Sequence, residues 1–156
     1  NDPAADYPAA LVGLGATIHT TKRTIPADAF FIDIFETTLE EGELITNIDF
    51  PVLGCAAYEK FVNPASLFAL VGVLVSRSEA GVRVAVTGAG PCVFRAHQIE
   101  QALEVNFSST SLDNISIEPI GLNTDIHASA KYRAHLITVL AWRSVNKTLK
   151  QFSEPK

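Results

Sequence analysis

The sequence predicts an α+β domain: an antiparallel β-meander followed by a packed group of about three helices. Three observations predict it. The stretch "VRVAVTG" follows the turn "RSEAG" and alternates with period two, so it folds back as a hairpin on the uncharged run at residues 68–76. The stretch "FRAHQIEQALEV" puts Ala96, Ile99, Ala102 and Leu103 on one helical stripe. A longer helical segment at residues 128–149 closes the chain, and strands first with helices after is the α+β order.

Taken in order, "DPAADYPAALVGLG" has alanine-rich helical character and ends at Gly15, a residue suited to a helix C-cap. "ATIHTT" alternates like a strand, with Lys22 and Arg23 in the turn after it. Residues 25–39 keep no period and read as loop with extended pieces. Gly42 then turns the chain into a strand at 43–50, which Pro51 stops. Further strands follow at 55–61 and at 68–76; the latter is apolar on both faces and therefore central. In the returning strand Val82, Val84 and Val86 share the buried face, opposite Arg83, Ala85 and Thr87. "SLDNISIEPI" reads as a helical turn closed by Pro119. The last helix has Asp125 or Ser129 as its N-cap, and its middle, "LITVLAW", is apolar nearly all round, so neighbours should wrap it.

Composition bounds the function. A chain of 156 residues with 47% hydrophobic and 19% charged residues is globular, and at this length buries about 70% of its unfolded surface. The net charge of −5, with acids and bases interspersed, argues against nucleic acid and against anionic membranes. The longest uncharged run is too short to span a bilayer and contains Pro64, so no membrane insertion is expected. Cys55 and Cys92 stand alone as small apolar residues, and a reducing, cytoplasmic setting follows by default. The chain has no methionine, even at position 1, which suggests a processed product or a fragment.

No self-contained active site can be read from the residues. Gly88-x-Gly90 lies between a strand and a helix, but Val93 occupies the third glycine position, Pro91 stiffens the turn, and the strand belongs to a hairpin. It fails as a dinucleotide fingerprint. His127 and His135, placed on one helix, would differ by about 80° and about 12 Å and cannot share a metal. On the strand at 55–61, Tyr58 and Lys60 point to one face and Glu59 and Phe61 to the other. Phe61 is the expected core residue, which leaves Lys60 on the face away from the core.

Six short stretches together resemble one family. They are "DPAADYPAAL", "IPADAFF", "LEEGELITNIDFP", "YEKFVNPASLFALVGV", "GAGPCVFRAHQIEQAL" and "DIHASAKYRAHLITVLAWRSV", in order and with family-like spacing. The sequence is similar to the FAD-binding middle (medium) subunit of the carbon monoxide dehydrogenase and xanthine dehydrogenase group of molybdenum hydroxylases, C-terminal portion only. The resemblance implies a remnant of the FAD-binding domain over residues 1–53 and the family's C-terminal domain over 54–156. It carries three cofactor-contacting positions onto this chain: Asp6 and Lys60, which match polar FAD contacts, and Ile45, which matches an apolar residue near the flavin. It also implies an iron–sulfur small subunit and a molybdopterin large subunit as partners. The family's two glycine-rich pyrophosphate loops would lie before residue 1, so FAD should bind this stretch weakly or not at all by itself. Two functions follow: an electron-transferring flavoprotein component, or a non-enzymatic module that docks to protein partners without FAD.

Overall fold

The computed structural model describes residues 1–52 and 54–153. The expected boundary residue, Leu53, and the last three residues lie outside the described part. Helix α1 (Tyr7–Leu14) has Pro8 in its first turn, where the missing N–H leaves no helical bond unmade, and ends at Gly15 with φ 71°. β1 (Thr17–Thr20) and β2 (Thr24–Pro26) pair antiparallel, and β3 (Phe31–Asp33) and β4 (Glu36–Thr37) make a separate small hairpin. β5 (Ile45–Asp49) pairs with β1 on the side away from β2.

β5 is shorter than the expected strand at 43–50. The reason is local: Glu43 N–H donates to the Glu40 carbonyl (3.0 Å) and Leu44 N–H to Thr21 Oγ1 (3.2 Å), so the turn holds both residues. The Glu43 side chain is fully buried beneath it. It accepts from Arg23 Nε (3.1 Å), Thr20 Oγ1 (2.7 Å) and Glu40 N–H (2.8 Å).

The main sheet contains β6 (Cys55–Val62), β7 (Ala69–Ser78), β8 (Gly81–Thr87) and β9 (Phe94–Arg95), in that order and antiparallel throughout. β7 is central, buried from Ala69 to Ser76 as its two-faced apolar pattern requires. The β7–β8 hairpin is tighter than "RSEAG" suggests: Ser78 pairs with Gly81, so Glu79 and Ala80 alone form the turn.

Two layers cover this sheet. On one face lie α2 (His97–Val105) and α3 (Ala130–Ser153), with Ile99, Leu103, Ile137, Leu140 and Val145 packed on Val71, Val73, Val75, Val84 and Val86. On the other lies α1 with the small sheets, where Ala9, Leu11, Val12, Ile18 and Phe30 pack on Leu74, Ala85 and Val93. The second layer corrects the reading of β8. Both of its faces are buried, because α1 sits so close that a Cβ on Gly13 would stand 2.5 Å from Leu74 Cδ2.

The helical half has its own differences. The short turn is a 3-10 turn at Ser109–Leu112; Asp113 and Asn114 continue the turn, and residues 115–119 follow without regular structure, with Ile115 and Ile117 packed on the core. Of the two candidate caps of α3, Ser129 is the one that acts, and Asp125 closes the turn before the helix. Asp125 Oδ1 accepts from His127 and Ala128 N–H (2.9 Å each), and Ser129 Oγ accepts from Tyr132 N–H at 3.2 Å. His127 therefore precedes the helix instead of standing on it with His135. Nor is α3 wrapped all round: Ile137 and Leu140 are buried, but Trp142 is 46% exposed in an open groove that residues 113–119 border without filling.

Candidate functional site

The start of α1 meets β6 at a polar cluster. Asp6 occupies the N-cap position, yet its carboxylate caps nothing. Tyr58 donates to its Oδ1 at 2.6 Å and Lys60 to its Oδ2 at 2.6 Å. Lys60 Nζ also donates to the Leu67 carbonyl at 3.2 Å. Tyr58 and Lys60 stand two apart on β6 and so share a face. That face points away from α3, as the alternation predicts. The opposite face carries Glu59, which accepts from Lys147 on α3 (2.8 Å), and Phe61, stacked edge-on against Tyr132. Phe61 is nevertheless 39% exposed and is no core residue, because it lies near the end of β6 where α3 begins.

The β6–β7 loop supplies the cluster's other wall. Asn63 N–H donates to the Phe68 carbonyl (2.9 Å), and Leu67 N–H donates to the Asn63 carbonyl (2.8 Å). Inside this tight loop Leu67 takes φ 62°, a left-handed conformation costly for a branched side chain. Its carbonyl thereby serves Lys60 while its side chain, and that of Phe68, stay exposed.

Sequence reasoning named Asp6 and Lys60, and the fold brings them into one ion pair across 54 positions. Ile45 does not join them. It stands on β5 opposite Thr20, 45% exposed, in the small sheet. Tyr58 was missed as a site residue, since an aromatic on a strand ordinarily reads as packing. Burial and the bond to Asp6 push its phenol far above its ordinary range, so it stays a neutral donor.

The Gly88-x-Gly90 turn is a packing joint. Gly88 N–H donates to the Pro3 carbonyl (2.8 Å) and its own carbonyl accepts from Arg133 (2.9 Å). Asn123 Nδ2 donates to the Gly90 carbonyl at 2.8 Å. At φ 80° a Cβ on Gly88 would meet the Ala69 carbonyl oxygen at 2.6 Å. Among the described residues no His, Cys, Asp or Glu side chains converge as a metal site.

Residues 1–53 match the family described as the FAD binding domain in molybdopterin dehydrogenase. The glyceraldehyde dehydrogenase medium chain of Sulfolobus acidocaldarius is 30% identical over 98% of this chain and 57% of its own length. This chain is a homologue of the medium chains of the molybdenum hydroxylases. The carbon monoxide dehydrogenase medium chain of Hydrogenophaga pseudoflava is 30% identical over 60% of this chain and 37% of that protein. The solved carbon monoxide dehydrogenase of Oligotropha carboxidovorans superposes with a TM-score of 0.80 at 24% identity, covering 94% of this chain and 57% of that one. The homologue thus shares the fold of these subunits while spanning between about a third and little more than half the length of these relatives.

FAD is the cofactor of that family, so the donor set can be tested against it. The imide edge of a flavin ring presents a carbonyl, an N–H and a second carbonyl. Lys60 spends two ammonium hydrogens on Asp6 and Leu67 and keeps one, while each Asp6 oxygen keeps a free lone pair. A donor beside an acceptor suits that edge, and the exposed Leu67 and Phe68 beside them suit an apolar ring. The residues fit the group.

Proposed function

We propose that this chain is part of the FAD-binding, electron-transferring component of a molybdenum hydroxylase. In this reading residues 1–53 are the C-terminal part of the FAD-binding domain and residues 54–156 a following domain. An iron–sulfur small subunit and a molybdopterin large subunit are the partners. The observation that carries the proposal is the Asp6–Tyr58–Lys60 cluster, built from both parts at the seam between them. FAD, when bound, supplies the electron-accepting and electron-donating chemistry.

The chain's own residues bind and tune it. Asp6 and Lys60 would hold the polar edge of the flavin, and Ile45 would offer it an apolar contact. The Lys60 ammonium, 28% exposed on its side chain and fixed by two bonds, favours any negative charge that develops beside it. Lys60→Ala should therefore weaken FAD binding or lower the flavin reduction potential. An unchanged dissociation constant together with an unchanged potential would return Lys60 to an edge lysine.

The second reading is a module that docks to protein partners without FAD. The open groove along α3, with Trp142, Val139, Ile115 and Ile117 in its lining, favours it. Flavin absorbance separates the two: protein that stays colourless through purification and takes up no FAD on titration supports the module.

A further inference from the structure

We infer that Tyr58 is a positioning residue for Asp6, and that Gly72 exists in its present form to let it be one. The inference rests on the reading of Asp6 and Lys60 as the flavin-facing pair. An aspartate at a helix N-cap ordinarily turns its side chain onto the first-turn N–H groups, an arrangement that stabilises by about 0.5–2 kcal/mol. Asp6 forgoes that bond. Its carboxylate turns instead to β6, where a flexible lysine stem alone would not fix the plane of the group. The Tyr58 phenol does fix it: the ring is rigid, its hydroxyl donates at 2.6 Å, and it lies over Gly72 of β7 on its way to Asp6.

Gly72 leaves that path open. It pairs with Lys60 on one side and Thr87 on the other. A Cβ there would stand 2.1 Å from the Tyr58 phenol oxygen and 2.8 Å from Cζ, so any other residue would push the ring off its line to Asp6. With Tyr58 on Oδ1 and Lys60 on Oδ2, the carboxylate plane is set from both ends, and the remaining lone pairs face a defined direction. The phenol stays protonated, so the anchor does not switch off in the neutral range.

The test is FAD titration into the apo form of the full-length component of which this chain is proposed to be a part, followed by flavin fluorescence, for wild type, Asp6→Asn, Lys60→Ala, Tyr58→Phe and Tyr58→Phe with Asp6→Asn. Tyr58→Phe keeps the ring and loses one bond to a charged group, so the dissociation constant should rise about tenfold. The double variant should bind no worse than the weaker single one, because both changes remove the same oriented carboxylate. Gly72→Ala should reproduce the Tyr58→Phe loss. If Tyr58→Phe binds FAD like wild type while Asp6→Asn and Lys60→Ala bind it more weakly, the positioning role is overturned and the flavin-facing pair stands. Losses that multiply in the double variant overturn it equally. If the wild type takes up no FAD, or none of the variants changes its affinity, the flavin-facing reading falls and this inference with it.

Discussion

The two faces of the main sheet are closed by different chemistry. On the α2/α3 face the contacts are branched apolar side chains, with Ile99, Leu103, Ile137, Leu140 and Val145 all at 1% exposure or less. On the α1 face small residues (Ala9, Ala16, Ala27, Ala85) pack together with Leu11, Ile18 and Phe30, and polar bonds stitch the layers, as Ser144 also does on the α3 face by donating to the Val73 carbonyl at 3.0 Å. Ser76 donates to the Gly13 carbonyl (2.6 Å), and Arg83 Nε and a terminal nitrogen donate to the Val12 carbonyl (2.9 and 2.8 Å). Arg83 also pairs with Asp28, and Thr87 shares its hydroxyl between the Pro3 and Ala5 carbonyls (2.9 and 2.8 Å). The first face is mainly an apolar core, where volume-conserving swaps are tolerated best, with Ser144, Arg133 and Glu100 bonded to sheet backbone within it. The second is a joint whose geometry is set bond by bond, and the Asp6–Tyr58–Lys60 cluster lies at its edge.

The largest effect should come from the apolar face. Leu140→Ala leaves a cavity among fully buried neighbours and should cost about 2–5 kcal/mol in chemical denaturation. A loss under about 0.5 kcal/mol would mean that α3 is not the core element described.

Next is the close approach on the other side. Gly13→Ala puts a methyl group against Leu74 Cδ2 and Ala85 Cβ and should cost about 1–3 kcal/mol. Full tolerance of this change would mean that α1 rides loosely on the sheet. Ser76→Ala should cost about 1 kcal/mol, since it removes a buried bond and leaves the Gly13 carbonyl without that donor.

Carboxyls held below their ordinary range lie on both sides of the sheet, Glu100 and Asp125 beside the helices and Glu43 on the α1 side, and Glu43 is the clearest case. Bonds from Arg23, Glu40 N–H and Thr20 hold the Glu43 carboxyl down at about 2, against an ordinary 4.5. A depressed folded value adds stability that is fully present above the unfolded value and disappears as pH falls through the folded one. Wild-type stability should therefore decline between about pH 5 and pH 2. Glu43→Gln should lower stability at neutral pH and flatten that decline; an unchanged slope would remove Glu43 as its source.

How far the sequence reached follows the same division. The apolar face was legible, because period-two and period-3.6 patterns report burial directly: Val82, Val84 and Val86, and Ile99 and Leu103, all lie where the patterns place them. The α1 face was not. Ala85 and Thr87 look solvent-ready in a strand, and nothing local shows that Gly13, 72 positions before Ala85, makes room for a helix above them. Asp6 and Lys60 were named by resemblance, whereas their pairing is a product of topology. Tyr58 was invisible because its role depends on a glycine in the neighbouring strand. Phe61 was misplaced because hydrophobicity says nothing about nearness to the end of a strand.

The smallest expected stability change accompanies the most telling measurement. Lys60→Ala removes a partly exposed ion pair and should shift stability by less than about 1 kcal/mol. The central claim, that the polar edge of the α1 joint faces a flavin, is tested by redox titration of the FAD-loaded full-length component beside its Lys60→Ala variant. The account predicts a more negative flavin midpoint potential in the variant, with the fold and melting temperature essentially retained. An identical potential together with an identical FAD dissociation constant would contradict it.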